Sequence, residues 1–249
     1  MILGLCGVAG AGKDTVADFL VAKRGCVKVA LADPLKRICR EVFNFSDDQL
    51  WGPSESRNAS DLRYMRFPDN EFVSREIDAQ VLGFDSGPKF LTPRFALQQL
   101  GTEWGRRCYD NVWVEYALRV ANALLSNDAI IRPTYSAKDG ADYTSADSAG
   151  RKPGNGGNVR GVVISDVRFK NEVDAIKAVG GYVWRVLRPG AGLGGTAGAH
   201  VSETEQLSMP DNMFNCLIDN SGTLKDLEGT ACASFKIQQA IFLKQEATT

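Results

Sequence analysis

Lys13 closes the run Gly7-Val8-Ala9-Gly10-Ala11-Gly12-Lys13-Asp14-Thr15, which follows directly on the apolar stretch Ile2–Cys6. A glycine-rich turn between a strand and a helix can aim several backbone N–H groups at one anion, while the helix N-terminus adds its partial positive charge. A lysine at its end can follow the charge that moves during phosphoryl transfer. The run therefore points to a loop that holds the phosphates of ATP, with Gly10, Ala11, Gly12, Lys13, Asp14 and Thr15 as contacts. A turn of purely structural use is the alternative, and the strand–loop–helix context weighs against it. The residue after the lysine is usually Ser or Thr, whose hydroxyl ligates Mg²⁺. Here it is Asp14 followed by Thr15. Either the carboxylate of Asp14 reaches the metal, or Thr15 does and Asp14 is a favourable acid in the first helical turn.

A second acid ends an apolar strand pattern in Gly161-Val162-Val163-Ile164-Ser165-Asp166. In a phosphate-loop fold that strand neighbours the first, which puts Asp166 near the metal and the γ-phosphate unless it merely caps the next helix. Arg168, two residues on, projects toward the same place. Two charges beside a transferring group suit a reaction driven by positioning and charge neutralisation. Further along, Arg94, Gln98 and Thr102 fall on one helix face if the helix opened by Thr92-Pro93 continues that far. They offer a cation for a phosphate and an amide for a base edge, though a solvated polar face would read the same way.

The elements that must carry these residues are legible as strand-length apolar runs at Ile2–Cys6, 27–31, 161–165, Tyr182–Leu187 and 214–218, separated by helical patterns. That alternation predicts an α/β fold with a parallel sheet flanked by helices. Asp33-Pro34 and Thr92-Pro93 read as helix starts, Asp110 as the cap of a helix over 112–125, and 223–244 as a final amphipathic helix. About 130 residues separate the second and third strands, far more than one crossover helix needs. The chain thus reads as one domain with a core at about 1–33 and 160–249, a largely helical insertion at about 34–128 and a flexible loop at about 133–160. The glycine-rich stretch 190–198 reads as a hinged cover over the site.

With 249 residues, 44% hydrophobic and 24% charged, the chain can bury a sizeable core. A net charge of −1 with 29 scattered basic residues leaves no stripe for a nucleic-acid polymer or an anionic membrane, so small ligands are expected. The six cysteines form no CxxC pair, which favours reduced, buried thiols and a cytoplasmic setting. No stretch has the length of a membrane span, and the apolar start reads as a strand rather than a signal peptide. His200 is the one histidine and no GxSxG accompanies it, which disfavours a hydrolase triad.

The phosphate loop, Ala32-Asp33-Pro34-Leu35-Lys36, Gln49-Leu50-Trp51-Gly52, the run from Thr92 through Gln98 and Gly101-Thr102-Glu103 to Arg106, Asp166-Val167-Arg168-Phe169 with Asn171-Glu172, His200-Val201-Ser202-Glu203 and Asn220-Ser221-Gly222 together resemble the bacteriophage deoxynucleoside monophosphate kinases. The matches span most of the chain in order; the Thr92–Arg106 region and the Asp166–Glu172 region are the specific ones. The resemblance implies a nucleoside monophosphate kinase fold, namely a five-stranded parallel core with an inserted acceptor-binding region and a lid. It also implies ATP and Mg²⁺ as cofactors, deoxynucleoside monophosphates as acceptors for DNA precursor supply, and a homodimer in the host cytoplasm.

Carried over by residue, it makes Lys13, Asp166 and Arg168 catalytic and gives the phosphate loop to ATP and metal, with Asp14, Thr15 and Asp166 as metal contacts. It assigns Arg94, Gln98, Thr102, Asp166, Arg168 and Glu172 to the acceptor. Trp113 stacks on the base or belongs to the core. Lys36 reaches the acceptor phosphate or is solvated. Arg185 and Arg188 neutralise ATP phosphates, or one of them is only salt-bridged. Asn220 touches the adenine end or makes a routine strand-to-helix turn. A kinase for another small acceptor such as dephospho-coenzyme A is the nearest alternative, and a GTP-dependent switch is disfavoured by the lack of an Asn-Lys-x-Asp motif.

Overall fold

The computed structural model describes residues 1–66, 89–126, 134–136, 140–142, 159–192 and 201–247. The chain divides into two compact units, Met1–Asp33 with Gly105–Thr249, and Pro34–Trp104.

The first unit is built on a five-stranded parallel sheet. Its strands are β1 (Ile2–Cys6), β2 (Cys26–Val29), β7 (Gly161–Val167), β8 (Tyr182–Leu187) and β9 (Cys216–Asp219), arranged β2-β7-β1-β8-β9. The short strands that fall between β2 and β7 in the chain lie outside this sheet. β1 is buried along its whole length because both faces of a parallel sheet are covered. Ile2 and Cys6 face one core, with Val162, Ile164 and Val183; Leu3 and Leu5 face the other, with Val163, Trp184 and Val186. On the first face lie Val114, Ala117, Ala121 and Leu124 of the helix Val112–Leu125, with Val173 and Ile176 of Lys170–Ala178. On the second lie Val16, Ala17 and Leu20 of α1 (Lys13–Arg24) with Leu227, Ala231 and Phe235 of the last helix, Leu224–Glu246. The chain moves to one side of β1 for β2 and β7, then to the other for β8 and β9. In such sheets the ligand site forms beyond the carboxyl ends of the strands at this reversal.

The second unit contains α2 (Asp33–Phe43, from Pro34 on), α3 (Asp47–Trp51), α4 (Ser54–Asn58), an antiparallel pair of β3 (Asp61–Arg66) and β4 (Lys89–Leu91), α5 (Pro93–Gln98), and a π-helical turn that begins at Gln99. It has its own core of Cys39, Phe45, Leu50, Leu91 and Ala96. Phe43 stacks on Phe45 at 5.2 Å and meets Tyr64 edge-on at 5.7 Å.

Three expectations change. The separately packed segment closes at Trp104 rather than near residue 128, because the helix Val112–Leu125 spends its apolar face on the sheet. The insertion, expected to be largely helical, also holds an antiparallel strand pair. Finally, the helix Val112–Leu125 starts from Asn111 rather than Asp110, without a side-chain cap: Asn171 Nδ2 donates to Asn111 Oδ1 at 2.7 Å and to Asp110 O at 3.1 Å. Thr92 caps α5 as expected, its hydroxyl accepting from Phe95 N–H at 3.2 Å. In the stretch 133–160, expected as a flexible loop, Thr134–Ser136 and Gly140–Asp142 pair as short antiparallel strands (β5 and β6), and most of the remainder lies outside the described residues, as do 193–200 and therefore His200.

Among the described residues no helix is long and apolar enough to cross a membrane. All six cysteines are unpaired thiols. Burial pushes Cys6 and Cys39 up to about 11 and Cys26 to about 12, whereas Cys108 is exposed, contrary to the expectation that the thiols would be buried.

Candidate active site

The loop after β1 is fastened by its carbonyls. The oxygen of Val8 accepts from Ala11 N–H at 3.1 Å, Ala9 from Gly192 N–H at 2.9 Å, Gly10 from Arg188 Nη1 at 3.5 Å, Ala11 from Asn220 Nδ2 at 2.8 Å and Gly12 from Val16 N–H at 3.0 Å. Every described peptide is trans, so each N–H points opposite the carbonyl of the preceding residue. Pinning the carbonyls of Ala9, Ala11 and Gly12 thus turns the N–H groups of Gly10, Gly12 and Lys13 the other way. That is the polarity an anion cradle requires. Glycine permits the close fit. A Cβ on Gly7 would fall 2.5 Å from the Val186 carbonyl, and one on Gly12 2.5 Å from Asn220 Nδ2. Around Gly10 a Cβ would meet nothing within 4 Å, so this part of the loop is open.

Lys13 Nζ donates to Gly7 O and, at 3.0 Å, to Val8 O, which folds its ammonium back along the loop. Asp14, with its side chain 76% exposed, lies 2.8 Å from Lys28 Nζ of β2, and Lys28 also meets Asp18 at 3.1 Å. Thr15 is half-buried in the first turn of α1. Asp14 and Thr15 are hard oxygen donors of the kind Mg²⁺ takes. Among the described residues no three His, Cys, Asp or Glu side chains gather into a metal-holding group, so a Mg²⁺ here would draw the rest of its shell from phosphate oxygens and water.

β7 does lie beside β1, in register from Ile2↔Val162 to Gly4↔Ile164, with a shift before Cys6↔Val167. Asp166, at its carboxyl end, caps neither the following helix nor itself. Its Oδ1 accepts from Leu31 N–H at 2.7 Å and its Oδ2 from Ala32 N–H at 3.1 Å, fixing the turn after β2. In that turn Asp33 accepts from Ala30 N–H at 3.0 Å.

Arg168 is half-buried just beyond β7. Its backbone N–H donates to Glu172 Oε2 at 2.8 Å, and that of Phe169 donates to the same oxygen at 3.0 Å. Glu172 Oε1 faces Arg106 Nη1 at 3.2 Å. With both oxygens bonded inside the protein and 4% exposure, Glu172 supports the Arg168–Phe169 backbone, which corrects its expected contact with the acceptor. Burial pushes its pKa up to about 7, against the opposing pull of the Arg168 and Phe169 amides and of Arg106. Arg106 was quoted only as part of a motif. A single arginine at a helix end has no spacing to betray it.

Arg185 on β8 and Arg188 just after it separate. Arg185 is buried, its guanidinium donating to Met209 O at 2.8 Å, Gln206 O at 2.7 Å and Asp211 at 2.9 Å, with Phe214 beneath it at 5.1 Å. It is the salt-bridged member of the pair, so its expected contact with ATP phosphates is corrected; Arg188 is the one at the loop, on Gly10 O. Gln206, 1% exposed in the helix Val201–Ser208, accepts from Gly7 N–H at 3.2 Å and so holds the first residue of the loop; sequence reading missed it. Asn220 also braces the loop through Ala11 O. Trp113 is partly buried against the sheet core, which favours the core side of its two readings.

In the second unit, Arg94 Nη2 lies 3.5 Å from Ser54 Oγ, and Gln98 follows it by four residues on α5. Thr102 comes after the helix has widened to π geometry at Gln99, a distortion often found at functional sites. Lys36 Nζ sits 5.3 Å over the Trp51 ring, which Arg40 also covers at 4.4 Å.

No protein-family model matches the chain. A protein of Acanthamoeba polyphaga mimivirus named "Putative deoxynucleotide monophosphate kinase" is 28% identical to it over 229 residues, covering 91% of each sequence. Among solved structures, that of TT1252 from Thermus thermophilus aligns over 96% of this chain and 97% of the other, at 15% identity and a TM-score of 0.37.

Proposed function

We propose that this chain is an ATP-dependent kinase that phosphorylates deoxynucleoside 5′-monophosphates to diphosphates, the activity of the bacteriophage-type enzymes it resembles, and so supplies DNA precursors. The observation that carries the reading is the phosphate loop. Its carbonyls are bonded behind it, its amides are turned outward, and Lys13 stands at the start of α1. The mimivirus protein supports the substrate class, being similar along nearly the whole chain and named for that activity.

In this reading the outward amides and the α1 N-terminus bind the β- and γ-phosphates. An oxygen of the acceptor's phosphate attacks the γ-phosphorus, the bond from that phosphorus to the β,γ-bridging oxygen breaks, and ADP departs. Lys13 exchanges its loop carbonyls for phosphate oxygens and follows the charge toward the bridging oxygen. Arg188, already at Gly10 O, adds a second positive charge at the ATP phosphates. Asp14 or Thr15, with Asp166, would hold Mg²⁺, which would supply charge neutralisation to the ATP phosphates. Arg168 bears on the transferring group. Arg94 and Lys36 take the acceptor phosphate, and Gln98 and Thr102 the nucleoside.

The test is a coupled assay of ADP formation with deoxy- and ribonucleoside monophosphates and dephospho-coenzyme A, run beside Lys13→Ala. Lys13-dependent turnover with at least one deoxynucleotide is expected. Turnover with dephospho-coenzyme A alone, or none that depends on Lys13, sinks the reading.

A further inference from the structure

The helix Lys170–Ala178 begins in a cluster that ties side chains both to one another and to the main chain. Arg106 stands at its centre. One end of its guanidinium donates to Glu172 Oε1 at 3.2 Å and the other to Asn171 Oδ1 at 3.1 Å, while its Cζ lies over the Phe169 ring, 3.6 Å from the ring centre. The side chain is 16% exposed. Glu172 passes the restraint on by accepting the N–H groups of Arg168 and Phe169 on its second oxygen. Asn171 passes it in the other direction, donating to Asp110 O and Asn111 Oδ1 at the start of the helix Val112–Leu125. One planar cation thus connects two helix starts, and the residue whose backbone it steadies is Arg168.

We infer that Arg106 is a positioning residue for phosphoryl transfer: its guanidinium, bridging Glu172 and Asn171 and lying on Phe169, fixes the backbone from which Arg168 meets the transferring group. The inference rests on the proposed kinase reading and on the role given there to Arg168. Three features make it specific to arginine. Only a planar fork donates to two acceptors at once while stacking on a ring; a lysine keeps the charge but offers a point donor and no plane. Burial drives the Glu172 carboxyl toward its neutral form, and the Arg106 charge beside it pulls the other way, so the pair depends on Arg106 keeping its place. Moreover, Arg106 has no part in the loop's own hydrogen bonding, so its loss leaves ATP binding to the groups that already hold the loop.

The experiment is a double-mutant cycle on the full chain. Arg106→Lys and Arg168→Ala are made singly and together, with kcat, both KM values, melting temperature and ATP affinity by calorimetry measured for each. Arg106→Lys should lower kcat about tenfold with ATP affinity within about twofold of wild type, a loss confined to the transition state. In the Arg168→Ala background the same change should leave kcat where it was, because the residue it acts through is gone. An equal loss of kcat in both backgrounds, or an unchanged kcat with a lowered melting temperature, overturns the inference. Hydrogen exchange supplies a readout independent of turnover. Arg106→Lys should speed exchange of the Arg168 and Phe169 amides more than that of the sheet strands, and unchanged exchange there also overturns it. Should Arg106→Lys fail to fold, Asn171→Ala removes one of the two acceptors and should give a smaller kcat loss, again absent in the Arg168→Ala background. A wild-type chain with no Lys13-dependent turnover would sink the kinase reading instead, while the exchange result would still decide whether Arg106 steadies Arg168.

Discussion

The two units use their polar side chains in opposite ways. In the unit of Met1–Asp33 and Gly105–Thr249, the polar groups near the phosphate loop are bonded to main chain: Asp166 to Leu31 and Ala32, Asn220 to Ala11, Gln206 to Gly7, Glu172 to Arg168 and Phe169, Arg185 to Gln206 and Met209. In Pro34–Trp104 the cations mostly meet other side chains or lie on rings. Arg94 meets Ser54, Lys36 and Arg40 cover Trp51, and Arg63 pairs with Asp61 and lies on Tyr64. The first unit spends side chains to hold a backbone that does the recognising; the second presents the side chains themselves. Substituting a side chain that braces the loop in the first should therefore disturb stability and binding together, and substituting a presented cation in the second binding alone.

The largest expected effect is that of Lys13→Ala, which should cost kcat/KM about 10³-fold, or about 4 kcal/mol, the scale for losing a charge that stabilises the transition state. A loss under tenfold in the coupled assay would remove Lys13 from the chemistry. Next comes Glu172. Burial raises its pKa from 4.5 to about 7, so between those values the folded state holds a proton that the unfolded state has released. This contribution to stability is complete below about pH 4.5 and is lost as pH rises through about 7. At about 1.4 kcal/mol per pKa unit, its limit is about 3 kcal/mol. Urea unfolding of Glu172→Gln from pH 4.5 to 7.5 should lack that downward slope; an identical slope would mean another group causes it.

Arg94→Ala tests the second unit. It should raise the acceptor KM between about ten- and a hundredfold, from the loss of about 2 kcal/mol of charge-assisted hydrogen bonding, with the melting temperature and the ATP KM nearly unchanged. A lowered melting temperature would break the contrast between the units. Asn220→Ala should have the smallest effect, near 1 kcal/mol, but should move melting temperature and ATP affinity together. Affinity lost without stability would mean that Asn220 touches the nucleotide instead of bracing the loop.

The core was legible because its signals are local. Five apolar runs gave the five strands to within two residues, and the glycine loop, Thr92-Pro93 and Thr223 announced themselves by type and spacing. Asp166 and Arg168 were legible as residues but not as bonds. That Asp166 binds the turn after β2, 134 residues away in sequence, depends on β2 and β7 pairing side by side. Arg185 and Arg188 differ by three positions and look alike in a sequence. Burial separates them, the former turning toward Gln206 and Met209 and the latter toward the loop. The same blindness hid Arg106 and Gln206, whose partners lie 66 and 199 residues away.

The fastening of the loop's carbonyls has a kinetic consequence. A peptide plane whose oxygen is held by a neighbour cannot rotate without breaking that bond, so the amides need no slow flip when an anion arrives. The swing of the Lys13 ammonium away from Gly7 and Val8 is instead a rotamer change, of the kind completed in picoseconds to nanoseconds. The speed with which this site fills is then set by diffusion and by whatever covers it, not by the backbone that does the binding.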